Sequence, residues 1–134
     1  MNITLSKLTE KDSKDVVKLL INSFNDNYDK KINKNVFNDP SCLFLVAKDN
    51  QAIAGYASLH FVNKLNRKTG LIEDVAVGKE FRGMGIGKLI VNKLIELFKK
   101  NECDKIILNS NEQYLSFYEN LGFKKKDSQM VIKL

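Results

Sequence analysis

The 134-residue chain is predicted to take an α/β (α+β) fold: a mixed, mostly antiparallel sheet flanked by helices on both faces. Three observations predict it. Short apolar segments at 43–48, 52–61 and 71–77 follow one another with only turns or a short loop between them, which is the pattern of antiparallel strands. Residues 89–98 then carry apolar side chains at helical spacing. Between the last strand and that helix stands Arg82-Gly83-Met84-Gly85-Ile86-Gly87-Lys88. A glycine-rich turn opening a helix exposes backbone N–H groups at the positive end of the helix dipole, and glycine lets an anion approach closely.

The elements follow in order. Residues 3–8 read as a strand. Thr9 is the expected N-cap of a helix, with Asp12 three residues on. Val16, Val17, Leu19, Leu20 and Ile21 give that helix its apolar residues. Residues 25–39 are polar and read as a loop with a short helix. The strands at 43–48 and 52–61 are joined at Asp49-Asn50 and form a hairpin. Residues 63–68 make a basic loop before the strand at 71–77. The long helix has Ile90, Val91, Leu94, Ile95, Leu97 and Phe98 on a broad face and lysines opposite. Residues 105–108 read as a short buried strand and 112–120 as a second short helix, stopped by Gly122. Residues 123–134 read as a final strand. No repeat, linker or low-complexity segment interrupts the chain, so residues 1–134 are expected to form one domain.

Composition narrows the function. Apolar residues at 43% and charged residues at 28% suit a globular protein. The longest apolar run, 42–47, is far below the ~20 residues of a membrane span, so no membrane partner is expected. Charges close to the N-terminus argue against a secretory signal. Cys42 and Cys103 make neither a disulfide framework nor a metal site, and no metal-ligand spacing occurs. A reducing, cytoplasmic setting is expected. The net charge of +6 suits an acidic small molecule. It would also suit nucleic acid, but the lysines are scattered apart from Lys124-Lys125-Lys126, and no aromatic-and-basic pattern is present.

Three phosphate-binding turns compete for the glycine segment. A Walker loop requires Ser or Thr after Gly87-Lys88, where Leu89 stands, and the first glycine is out of place. A dinucleotide fingerprint requires glycine in place of Lys88 and a parallel βαβ setting. The remaining pattern, Arg82-x-x-Gly85-x-Gly87, resembles the acetyl-CoA pyrophosphate loop of the GNAT acetyltransferase superfamily. Leu71-Ile72-Glu73-Asp74-Val75-Ala76-Val77 resembles that family's central strand, and Phe117-Tyr118-Glu119-Asn120-Leu121-Gly122-Phe123 its C-terminal segment. Within the superfamily the chain is most similar to glucosamine-6-phosphate N-acetyltransferases, in the strand at 72–77, in Lys105-Ile106-Ile107-Leu108 and in the spacing of Met130 and Lys133.

The resemblance implies a GNAT fold, acetyl-CoA as co-substrate, no metal, and direct attack of a small primary amine on the thioester. It implies that Tyr118 lies near the CoA sulfur as proton donor. It implies that Glu73 and Asp74 contact the amine substrate. As strand neighbours these two are expected to point to opposite faces. Val75, Ala76 and Val77 are implied backbone partners of the pantetheine arm, and Arg82 to Lys88 of the pyrophosphate. Asn109 stands where close family members have an aspartate that positions the amine. It can hydrogen-bond but carries no charge. Tyr114 replaces a usual asparagine, and Lys133 an expected phosphate-binding arginine. Lys64, Lys105 and Lys133 are the expected basic contacts of the substrate, beside Val75. The family also implies a homodimer with an exchanged last strand and shared active sites. His60, the single histidine, ends a strand without a cysteine or serine motif and is expected to have no role.

Overall fold

The structure, a computed structural model, describes residues 1–24 and 31–134. Its elements are β1 (Ile3–Lys7), α1 (Ser13–Phe24), β2 (Cys42–Asp49), β3 (Ala52–Asn63), β4 (Lys68–Val77), α2 (Ile86–Lys100), β5 (Ile106–Leu108) and α3 (Leu115–Asn120). The five strands form one sheet in sequence order, antiparallel from β1 to β4, with β5 joining β4 in parallel. The mixed, mostly antiparallel sheet is therefore present. The parallel step follows from α2, because a helix between two strands returns the chain to the same end of the sheet.

Alternation along β2 and β3 feeds two cores. Leu45, Ala47, Ala57, Leu59 and Ile72 pack against Ile86, Ile90, Val91, Leu94 and Phe98 of α2. Val46 and Tyr56 pack with Leu8 and with Val16 of α1 on the other side. Helices thus cover both faces, because β2 and β3 are apolar on both. Gly70 matters here. A Cβ at this position would lie 2.4 Å from the ring of Phe98, which is fully buried. Gly70→Ala is expected to destabilise the fold by about 1–3 kcal/mol, the usual cost of overpacking, read as a lower urea midpoint with an unchanged m-value.

Three sequence expectations change, while the short helix expected within 25–39 is present. Thr9 makes no side-chain cap. A 3-10 turn at Glu10–Asp12 precedes α1, and Ser13 Oγ donates to the Glu10 carbonyl at 2.6 Å. Asp12 is instead buried in an ion pair with Lys48. Of the loop at 25–39, residues 25–30 lie outside the described residues, and Lys34–Asn38 form a 3-10 helix. β5 is an edge strand rather than a buried one, with Ile107 45% exposed. Residues 123–134 form no strand. A strand needs a hydrogen-bonding edge and a face to pack on. Within the single chain this segment pairs with no edge: Phe123 packs on the core, while Met130, Val131, Ile132 and Leu134 stand exposed.

Candidate active site

β4 creates the site by departing from regular pairing. It runs beside β5 only from Gly70 to Ile72, opposite Ile106 to Leu108, and then continues to Val77 without a strand on that side. Its register with β3 shifts between Ser58↔Glu73 and Tyr56↔Ala76, so β4 carries an extra residue there. Asp74 takes up that residue at φ +56°. Aspartate tolerates this left-handed conformation better than most side chains, and such a residue costs of order 1–3 kcal/mol, a pattern found at functional sites. The bulge twists the strand and re-aims its side chains.

Glu73 and Asp74 meet at this bulge. Both line the same cavity of about 260 Å³. Val75, Asn109, Tyr114 and Tyr118 line it as well, with Phe24, Ile72, Leu108, Ser110, Asn111 and Gln129. Partial burial raises the pKa of Glu73 above the usual carboxylate range, and the neighbouring Asp74 charge adds to this. Burial raises Asp74 too, opposed by the nearby His60. Raised carboxylates hold a proton or an ammonium more readily. Across the cavity Tyr118 is gripped edge-on by Phe117 at 4.9 Å and Phe123 at 5.8 Å. Burial, reinforced by Tyr114, pushes its phenol above the ordinary tyrosine value, so it remains a proton donor.

The open edge of β4 leads away from the cavity toward α2. Gly78 donates its N–H to Ala54 on β3 at 2.8 Å. Strand alternation then turns the backbone groups of Val75 and Val77 to the open side and those of Ala76 toward β3. The Val77 carbonyl accordingly accepts from Arg82 Nε at 3.3 Å, which ties the glycine turn to the strand. Gly83 and Gly85 have φ of +77° and +81°, and a Cβ at either would meet nothing within 4 Å. Gly85 caps α2 and accepts the N–H of Leu89 at 3.0 Å. The amides of Ile86, Gly87 and Lys88 are therefore first-turn donors without a helical acceptor, beside open space and exposed Met84 and Lys88. Gly87 lies against Phe117 and Val77, so the helix start packs close to both β4 and α3.

The basic candidates are not brought to the cavity. Lys64 sits in the β3–β4 turn, where its N–H bonds the Arg67 carbonyl. In that loop Arg67 pairs with Asp104 at 3.5 Å, and Lys68 bonds the Asn101 carbonyl at 3.4 Å. Lys105 precedes β5, at the end opposite Asn109, and its carbonyl takes the N–H of Gly70. Lys133 is exposed in the terminal segment whose Gln129 reaches the cavity. Sequence reasoning missed His60: Ser58 Oγ lies 2.9 Å from its Nε2. The signal was the Ser58-x-His60 spacing, which places both on one strand face. Among the described residues, no group of three or more His, Cys, Asp or Glu is gathered as a metal site.

This fold and this open strand edge define one class of protein. The model described as the acetyltransferase (GNAT) family matches residues 13–123, and the chain belongs to that family. It is 42% identical over 85 residues to a glucosamine 6-phosphate N-acetyltransferase of Trypanosoma brucei brucei, covering 61% of this chain and 58% of the relative. A crystal structure of a T. brucei acetyltransferase superposes with a TM-score of 0.87 at 31% identity, over 99% of this chain and 100% of that one. That of glucosamine-6-phosphate N-acetyltransferase from Arabidopsis thaliana gives 0.86 at 27% identity, over 99% of each. The sequence match spans under two thirds of the T. brucei relative, and 39% and 44% of the rice and Candida albicans ones.

Proposed function

We propose that the chain is an acetyl-CoA-dependent N-acetyltransferase of a small phosphorylated amine, with glucosamine 6-phosphate as substrate. One observation carries this reading: two carboxyl residues of raised proton affinity and a protonated tyrosine line one cavity beside an open strand edge. The names of the relatives support the amino-sugar phosphate.

The pyrophosphate of acetyl-CoA lies on the amides from Gly83 to Lys88, with Arg82 holding the turn. The pantetheine arm runs along Val75 to Val77 as an added strand, and an outward amide polarises the thioester carbonyl. Glu73 and Asp74 orient the amine and sugar hydroxyls and draw the proton from the ammonium. Asn109 donates or accepts a hydrogen bond at the far wall. The neutral amine attacks the carbonyl carbon. As the C–S bond breaks, Tyr118 gives its proton to the departing thiolate, and the proton that the acylated nitrogen releases restores the phenol by way of solvent.

The chain is a homodimer in this reading. Exposed Met130, Val131, Ile132 and Leu134, together with the unpaired outer edge of β5, support strand exchange with a second copy. Exchange would carry Lys133 toward a partner's site and give the substrate phosphate a cation that the described residues of the single chain do not place in the cavity lining. Two free cysteines suit the reducing cytoplasm.

CoA release with glucosamine 6-phosphate and with plain glucosamine tests the proposal. The phosphate is expected to contribute about ten- to a hundredfold in kcat/KM, as a charged hydrogen bond does. Lys133→Ala should remove most of that preference and leave acetyl-CoA binding unchanged, and light scattering should give a dimer. Equal turnover of both amines would discard the phosphate. A fully active monomer would discard the shared site.

A further inference from the structure

Tyr56, Ser58 and His60 alternate along β3 and so share one face of the sheet, the face that also holds Phe44. Ser58 is 2% exposed. Its hydroxyl lies 2.9 Å from His60 Nε2 and 3.3 Å from the Glu73 carbonyl. Glu73 is the last β4 residue in register before the bulge, and Asp74, with its positive φ, is the next. The Ser58 hydroxyl therefore spans the point where the two candidate carboxylates are re-aimed.

A hydroxyl has one proton to give. If it goes to the Glu73 carbonyl, Nε2 of His60 must be the donor to Ser58 Oγ. If it goes to His60, or to Tyr56, whose hydroxyl also hydrogen-bonds the Ser58 side chain, the bulge carbonyl loses its side-chain partner. The half-buried His60 ring is held in place: the Phe44 ring stands edge-on at 6.3 Å, and its strand neighbours are Cys42 on β2 and Leu71 on β4. Burial lowers the pKa of His60, opposed by Asp74 and Asp39, which favours the neutral ring with a proton on one nitrogen.

We propose that His60 is a positioning residue: by donating to Ser58 it commits the serine hydroxyl to the Glu73 carbonyl, locks the bulge, and so holds Glu73 and Asp74 toward the amine. Its kinetic consequence rests on the acetyl transfer proposed above, whereas the lock itself does not. The role differs from packing, because packing would be met by any side chain of similar size, whereas the lock needs a donor where Nε2 stands. Glutamine places an amide donor near that point and leucine places none.

The test compares His60→Gln and His60→Leu with wild type. His60→Leu should lower kcat/KM for glucosamine 6-phosphate roughly tenfold, the scale of one lost hydrogen bond. Its KM for acetyl-CoA should not change. His60→Gln should recover most of the loss. Nitrogen–proton NMR spectra of the ligand-free protein give a second readout that needs no activity. The amides of Asp74 and Val75 should shift in His60→Leu and return toward wild type in His60→Gln. Ser58→Ala should move the same amides, and it replaces His60→Leu if that variant does not fold. Wild-type positions of those amides in His60→Leu or Ser58→Ala would overturn the lock. So would equal impairment of the Gln and Leu variants, or a matching loss for both substrates. Failure of the wild-type protein to acetylate any amine would instead overturn the proposed function, with the NMR result still deciding the lock.

Discussion

Tyr118→Phe is expected to lower kcat by about 10²–10³, within the range that a positioned proton donor contributes, while CoA affinity and Tm stay close to wild type. The substitution isolates the hydroxyl. The ring's edge contacts with Phe117 and Phe123 involve carbons that phenylalanine keeps, so the small core around α3 is preserved. The hydroxyl serves two purposes in the proposed reaction. It remains protonated at neutral pH, because burial pushes the phenol above its ordinary value, and it belongs to a residue that lines the same cavity as Glu73 and Asp74. A thiolate leaving into a half-dry site without that donor is poorly stabilised. Steady-state CoA release and calorimetry of CoA binding on the same protein make the check. An unchanged kcat would reduce Tyr118 to a packing residue.

The second large effect is expected at Gly85→Val: a rise of about ten- to a hundredfold in the acetyl-CoA KM, the loss of one or two charge-assisted hydrogen bonds. Gly85 holds φ +81° at the cap of α2. A β-branched residue is strongly disfavoured there, so the turn must relax toward negative φ and swing the following amides away. Internal packing does not oppose the substitution, since a Cβ at Gly85 meets nothing within 4 Å. The same open space is where an anion would sit, so the valine side chain also blocks its approach. Wild-type CoA affinity by calorimetry in Gly85→Val would rule out this turn as the pyrophosphate seat.

Local sequence was sufficient for most of the architecture. The alternation in β2 and β3, the helical period of α2 and the glycines at positive φ are properties of neighbouring residues, and neighbours suffice to determine them. The Arg82-x-x-Gly85-x-Gly87 spacing and the Phe117-Tyr118 segment were legible for the same reason, and with them the family. What the sequence could not show depends on contacts between distant residues. Glu73 and Asp74 share a cavity because β4 bulges against Ser58 and Tyr56, fifteen or more residues earlier in the chain; strand periodicity alone places them on opposite faces. The link from His60 through Ser58 to the Glu73 carbonyl exists only once β3 and β4 are paired. Residues 63–68 read as a basic loop suited to a phosphate, but tertiary packing engages Arg67 and Lys68 with Asp104 and the Asn101 carbonyl at the far end of β4. The apolar pattern of residues 123–134 reads as a strand, yet a strand exists only where an edge is available to pair with it. In the single chain that segment pairs with none, and its apolar side chains Met130, Val131, Ile132 and Leu134 face solvent.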